Sequence, residues 1–302
     1  MSTDTVDVIC IGLATRDTIA QVPEHPPADG RVVAMDLQRA GGGPAATAAV
    51  ALARLGHRVA FVGAVGDDAA GDEIRASLTE EGVSVTDITV VTGARSPESL
   101  ILVASVAATR SITAYPGTAG PPRLSVSSIA RCAAARWVHV DHVGYGVMKV
   151  LVPSIMGTGV RLSVDGGNPI DDLELRGVTL YAPTEHALRA RYEGASLDAS
   201  IKAALAEGAS TVVATLGGHG SCAATRDRGA FRVPAYETAL TSTLGAGDVY
   251  HGALLAGLLE DRSLEEAMER ANVAAALSCR NLDGRSAIPA RAELDEACES
   301  LA

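Results

Sequence analysis

The sequence predicts an α/β protein with a mainly parallel central sheet covered by helices on both faces. Three observations carry this. After residue 125, apolar runs rich in β-branched residues alternate regularly with helix-forming stretches, the pattern of repeated strand–helix–strand units. The runs are short and nearly all apolar, as strands buried on both faces must be. Glycines and acids cluster just after or near the strand ends: Asp17, Gly41–Gly43, Asp141, Asp165, the 217–220 loop and Asp248. Ligands of such sheets bind beyond the carboxyl ends of the strands, so these positions are expected to share one rim.

Along the chain, VDVICIGLA (6–14) is a buried strand ended by glycine and a polar turn. Residues 21–43 are rich in Pro and Gly, with alternation at 31–37, and predict an exposed strand pair or flap. PAATAAVALARLG (44–56) is a helix, with Pro44 in its first turn and Gly56 as its stop. A strand at 58–66, an amphipathic helix at 68–82 and a hairpin of 99–106 with 111–115 follow. Strands are then predicted at 135–143, 160–167, 178–183 and 210–220, with helices at 146–157, 184–192 and 198–207 between them. A helix over 249–260 and the run 264–279 finish the pattern. No internal repeat or low-complexity linker divides the chain, so one α/β domain over residues 1–302 with an inserted flap is expected.

The 302 residues are enough to bury a core without staples. Aromatics are only 3%, so that core must be built from Ala, Val, Leu and Ile. With 36 acidic against 25 basic residues and no basic run, neither nucleic acid nor an anionic membrane is an expected partner. Five cysteines with no CxxC pair argue against a disulfide framework or a zinc site. The N-terminus turns acidic before any long apolar run, unlike a signal peptide, and no later run spans a membrane, so the cytoplasm is the expected compartment.

Three stretches bear on chemistry. In TSTLGAGDVYHGALL (241–255), Gly245, Ala246 and Gly247 run into Asp248 at the start of a helix. Their N–H groups can gather negative charge with the helix dipole, and the carboxylate can take a proton from an attacking hydroxyl. A phosphoryl transfer needs both. A tight turn with Asp248 as a helix cap fits the same residues equally well. In AGGGPAATAAV (40–50) the glycines allow a close ligand or a plain turn, and no GK[ST] follows to make a Walker loop. In TVVATLGGHGS (211–221) a strand runs into a glycine-rich loop, either a nucleotide contact or a strand-to-strand turn. His139 and His142 point to opposite sides of a strand and make a poor metal pair. No GxSxG elbow, dinucleotide fingerprint or Cys–His–orienter set occurs.

Together these stretches resemble the PfkB family of ribokinase-like sugar kinases. GGGPAATAAVALARLG with VAFVGAVGDDAAGDEIRASLTEEGV resembles the family's N-terminal signature, and TSTLGAGDVYHGALLAGL its C-terminal one, DTxGAGD. The resemblance spans CIGLATRD to GRSAIP and implies a three-layer α/β/α sandwich with a small β-sheet lid from segments 18–40 and 95–118. It implies ATP-dependent phosphorylation, with Mg²⁺, of a hydroxymethyl group on a small sugar. By residue, it makes Asp248 the catalytic base and Gly245, Ala246 and Gly247 the anion hole. Asp17 would bind sugar hydroxyls, with Gly42, Gly43, Thr47 and Asp165 in the substrate region. Thr215, Gly217 and Gly220 would line the ATP site, with Asn272 near the adenine and Thr184 by the phosphates. It also implies a homodimer through the lid.

The chain departs from the family pattern at three places. Ser242 replaces the first acid of DTxGAGD, which predicts weak dependence on a monovalent cation. The NxxE element falls near YAPTEHAL, where Thr184 stands for the Asn and Ala187 for the Glu, leaving Glu185 as the candidate metal ligand. Thr47 replaces the usual Asn, a GGGPAAT pattern closer to ketose and sulfosugar kinases than to ribokinase. Arg16, Arg31 and Arg95 are the cations near the lid available to an anionic acceptor. A nucleoside kinase on the same scaffold, and a relative that binds without catalysis, are the alternatives. Few aromatics, with Tyr115 the one lid candidate, disfavour the first, and the intact GAGD disfavours the second.

Overall fold

A computed structural model describes residues 6–106, 109–155 and 157–300. It opens with β1 (Val8–Ile11), β2 (Thr15–Val22) and β3 (Asp36–Gly42), followed by α1 (Pro44–Arg54), β4 (Val59–Gly66) and α2 (Ala69–Glu80). Next come β5 (Ser84–Val91), β6 (Glu98–Ala104), β7 (Thr109–Tyr115) and α3 (Val126–Ala134). The alternating half runs β8 (Trp137–Val140), α4 (Tyr145–Ile155), β9 (Arg161–Gly166), β10 (Leu180–Pro183), α5 (Glu185–Arg191), α6 (Leu197–Glu207) and β11 (Thr211–Thr215). A 3-10 turn at Gly217–His219 leads to β12 (Ser221–Thr225), β13 (Phe231–Val233), α7 (Ala246–Leu259), α8 (Leu264–Ser278) and α9 (Arg291–Glu299).

Nine strands form one sheet in the order β13-β12-β11-β10-β9-β8-β1-β4-β5. Pairing is parallel from β11 to β5, and antiparallel where β12 and β13 extend the edge. Both faces are buried, and the alternation of β1 shows how. Val8 and Cys10 join one apolar cluster with residues of α1, α7 and α8, while Ile9 and Ile11 join another with Met148, Leu151 and Ile201. A second sheet, β3-β2-β6-β7, packs Ile19, Ile101 and Val103 against Leu244 and Leu282, at the loops that flank α7 and α8. The expected lid segments 18–40 and 95–118 contain these strands, save residues 107 and 108, which lie outside the described residues. Residue 156, in the expected helix 146–157, lies outside them too.

Several elements differ from the sequence reading. The strand expected at 31–37 instead spans Asp36–Gly42, because its partner β2 ends at Val22 and the last pair is Gln21 with Asp36. Met35 N still donates to Gln21 O at 2.7 Å, and residues 31–34 lie outside the ladder. Strand β5 lacks a clean apolar run, since Asp87 interrupts it to accept from Ser128 Oγ at 2.8 Å and to bind Arg131. Helix α3 is Ser-rich, and Ser125 caps it. Helix α9 buries little beyond Leu294 and carries a weak apolar stripe. The strand expected through 210–220 stops at Thr215, where Gly217 and Gly220 turn the chain into β12. That glycine-rich loop is thus a strand-to-strand turn.

Candidate active site

Residues at the rim are held by backbone and by charge. Asp141, just past β8, is fully buried and accepts from four backbone N–H groups: Leu13 at 2.8 Å, Ala45 at 3.2 Å, Val143 at 2.9 Å and Gly144 at 2.9 Å. It thereby ties the end of β1 to the first turn of α1. Asp17 on β2 is also buried, and its Oδ1 accepts from Thr15 Oγ1 at 2.7 Å. A Cβ on Gly42 would lie 2.0 Å from Asp17 Oδ2, so only glycine lets β3 pass this carboxylate. Burial raises Asp17, partly countered by bonds from Thr15 and Ser99 and by the charge of Arg285.

Gly245 caps α7 in the left-handed conformation, with φ 72°, and its backbone packs against Gly284. Ala246 N donates to Thr243 O at 3.4 Å. Gly247 and Asp248, in the first turn, have no preceding carbonyl within the helix to receive their N–H groups. Asp248 therefore stands beside free backbone donors at the positive end of a 14-residue helix. Its carboxyl is pushed up to about 7, first by burial, then by the charges of Asp165 and Asp141, with His251 and Arg285 opposing. Asp165 ends β9, and its Oδ1 accepts from Gly167 N at 2.7 Å. Burial would raise it, but the His251 imidazole beside it, with the Gly167 N–H, outweighs this and holds it at about 2. Asp17, Asp141, Asp165 and Asp248 thus form one electrostatic neighbourhood, as the strand-end pattern predicts.

Two cations in that neighbourhood were not among the predicted site residues. Arg285, in GRSAIP, is 5% exposed and has no carboxylate within salt-bridge distance among the described residues. Its Nη2 donates to Gly42 O at 2.6 Å and its Nε to Thr47 Oγ1 at 3.1 Å, so it joins the loop that backs Gly245 to the glycine segment before α1. These bonds cross more than 200 residues, and no local signal in the sequence points to them. His251 follows Asp248 by three positions on α7, a helical spacing legible in YHG only once Asp248 is placed at the helix mouth.

The expected nucleotide positions lie farther along the sheet. Thr184 Oγ1 caps α5 by accepting from Ala187 N at 3.1 Å, and Thr184 bridges Thr215 at the end of β11. A Cβ on Gly167 would lie 3.0 Å from Asp165 Oδ1 and 3.9 Å from Thr184, which links this group to the acids. Asn272 spends its amide donors on Pro234 O at 2.9 Å, Ser221 Oγ at 3.2 Å and Val233 O at 3.3 Å. It ties α8 to the start of β12 and the end of β13. Glu185 lies 3.4 Å from Arg189 Nη1, one turn on. Of the cations considered for an anionic acceptor, Arg16 binds Glu98 and Glu73, and Arg95 lies over Tyr115 at 4.9 Å. Arg31 is exposed. His139 is buried against Ser163 Oγ at 3.1 Å. The described residues contain no group of three or more His, Cys, Asp or Glu that could hold a metal alone.

Comparison with known proteins gives a consistent picture. The family model described as pfkB family carbohydrate kinase matches residues 6–155 and 168–291. A ribokinase of Haemophilus influenzae is 26% identical, over 96% of this chain and 97% of its own length. The mouse ketohexokinase is 25% identical, over 86% of this chain and 92% of its own length. The structure of Arabidopsis thaliana ribokinase complexed with ribose and ATP superposes with a TM-score of 0.86 at 21% identity, covering 98% of this chain and 99% of that one. The ribokinase-like α/β architecture with a smaller second sheet is therefore the fold of this chain.

Proposed function

The chain belongs to the pfkB family of carbohydrate kinases, phosphotransferases with an alcohol group as acceptor, and on that premise we propose that it transfers the γ-phosphoryl group of Mg-ATP to a hydroxymethyl group of a small sugar of the ketose or sugar-acid type. The observation that carries this reading is the left-handed turn at Gly245. It joins the first-turn N–H groups of α7 and the Asp248 carboxylate at one mouth, in the field of Asp165 and Asp141.

In this reading Asp248 accepts the proton of the acceptor hydroxyl. The freed oxygen attacks the γ-phosphorus, and the bond from that phosphorus to the bridging oxygen breaks, releasing ADP. The backbone at Gly245, Ala246 and Gly247 receives the charge on the moving phosphoryl oxygens. Asp17, with Gly42, Gly43, Thr47 and Asp165, receives the acceptor, and Asp17 selects for hydroxyl donors. Thr215, Gly217, Gly220 and Thr184 receive the nucleotide. Asn272 serves it by fixing the adjoining ends of β12 and β13. Mg²⁺ is ordinarily held by one or two carboxylates and by the nucleotide's own phosphates, a need that does not call for a protein cage. Glu185, a hard oxygen ligand in the first turn of α5, fits as its contact. When bound, Mg²⁺ neutralises phosphate charge.

The second sheet, built from segments 18–40 and 95–118 of a single domain, covers the acceptor. Leu37 and Leu100 stand 66% and 53% exposed on the face opposite Ile19 and Ile101, which supports pairing of two copies through that sheet. No helix among the described residues is long and apolar enough to cross a membrane, and a cytoplasmic enzyme fits an ATP substrate. A nucleoside acceptor is less well supported, since Tyr115 is covered by Arg95. The test is ADP release from Mg-ATP across a panel of fructose, psicose, tagatose, ribose, 2-keto-3-deoxygluconate, sulfofructose and adenosine. Turnover with a ketose or sugar acid supports the proposal; turnover with adenosine alone overturns it.

A further inference from the structure

Asp248 sits among other acids, which make it a poor base unless something opposes them. Asp165 approaches from β9 and Asp141 from the end of β8, and both favour its protonated form. The nearest groups able to oppose them are Arg285, on the loop behind Gly245, and His251. His251 lies one turn after Asp248, so the two side chains share a face of α7. It is 5% exposed, and its Nδ1 lies 3.2 Å from Asp165 Oδ2, itself 4% exposed. Nδ1 meets no hydrogen-bond partner among the described residues, so its approach to Asp165 is electrostatic. The Ala182 backbone also favours the charged form of the ring. A charged ring can present an N–H toward both the Asp165 carboxylate and the Ala182 backbone, which a neutral ring with its single N–H cannot.

The rest of the environment agrees. His139 faces the same ring from β8, with centroids 5.9 Å apart. Burial and the His251 charge hold it uncharged, at about 3, so it does not share the proton. Tyr250, at 6.2 Å, is raised by its own burial and brings no charge. Burial opposes charge on His251, but Asp165 and then Asp248 more than offset it, and its affinity for a proton is raised. We propose that His251, pinned by Asp165, is a positioning residue that supplies a fixed positive charge beside Asp248 and keeps the base ionised at neutral pH. The proposal rests on the reading of Asp248 as the base.

The test needs no acceptor. Carboxyl-carbon NMR follows the ionisation of Asp248 in the full-length protein and in His251→Asn. The midpoint is expected to rise in the variant by about one pH unit or more, as loss of a neighbouring opposite charge does. The double variant His251→Asn/Asp165→Asn removes both charges and is expected to bring the midpoint part of the way back. An unmoved midpoint in His251→Asn overturns the proposal. Should that variant fail to fold, imidazole NMR of the wild-type protein decides: a charged His251 ring at pH 7.5 supports the proposal, and a neutral one overturns it. With an acceptor in hand, the kcat/KM deficit of His251→Asn should be larger at pH 6.5 than at pH 8.5, and an equal deficit at both overturns it. Failure of the kinase reading itself shows separately, as no phosphorylated acceptor with wild-type protein.

Discussion

At the scale of single residues, Asp248 bears the chemistry of the proposed reaction, and its ionisation carries a cost to the fold. Replacing it with Asn is expected to lower kcat by about 10²–10⁴-fold, the usual loss for a general base, while ATP affinity holds. Because burial and two neighbouring acids raise it to about 7, kcat/KM of the free enzyme should fall about tenfold per pH unit below that value. Stability has the opposite sign. The folded state holds this proton from the ordinary value of 3.8 up to about 7 while the unfolded state does not, so the stabilisation is present in acid and lost as pH rises through the folded value. Asp248→Asn should then raise Tm of the ligand-free protein at pH 8, by about 2–4 °C once solvent screening is allowed for, and leave it unchanged at pH 4. Equal shifts at both pH values would contradict this. Asp141 and Asp165 were legible because acids at strand ends are a local pattern, and Asp248 because it follows Gly-Ala-Gly at a helix start. Arg285 and His251 were not, since the guanidinium acts through Gly42 and Thr47 far away in sequence, and the imidazole through Asp165 on another strand. Arg285→Ala should raise KM for the acceptor more than it lowers kcat. It should also destabilise the fold by about 1–3 kcal/mol, because two buried acceptors lose their donor. Arg285→Lys should not rescue it, as an ammonium cannot span both. Steady-state kinetics and thermal melts check both effects.

At the scale of elements, the site depends on how α7 lies against α1. Gly252, one turn beyond Asp248, has no space for a side chain: a Cβ there would meet Ala48 O at 2.5 Å and Ala51 Cβ at 2.7 Å. Gly252→Val should force the helices apart, cost about 1–3 kcal/mol and lower kcat with it, since Asp248 moves with the helix. A fall in Tm with kcat intact would show that the helix mouth tolerates the shift. Elements with strong periodicity or clear stops were readable, α1 and α2 among them, and Asp68 caps α2 by accepting from Gly71 N. Those that escaped lack such signals. Strand β5 carries a paired acid at its centre, β13 has three residues, and α9 has little apolar face. Residues 31–34 show the converse case, alternation outside the ladder of the second sheet.

At the scale of the whole molecule, the parallel sheet brings acids from distant segments to one rim, and the second sheet closes over it through Ile19, Ile101 and Leu244. Fold and family were therefore legible from two signatures about 200 residues apart, whereas the identity of the acceptor was not, because it depends on side chains that meet only in three dimensions. If two copies pair through the second sheet, Leu37→Glu with Leu100→Glu should convert dimer to monomer in sedimentation; an unchanged species contradicts that interface. With Ser242 at the position of the family's acid, activity should differ little between KCl and NaCl, and strong activation by KCl would refute the expectation. The most direct measurement of the central claim is ADP release by wild-type protein and Asp248→Asn, side by side, with Mg-ATP and each member of the sugar panel. The account predicts turnover that requires one ketose or sugar acid and falls at least about 100-fold in the variant. Acceptor-dependent turnover that survives in Asp248→Asn would contradict it.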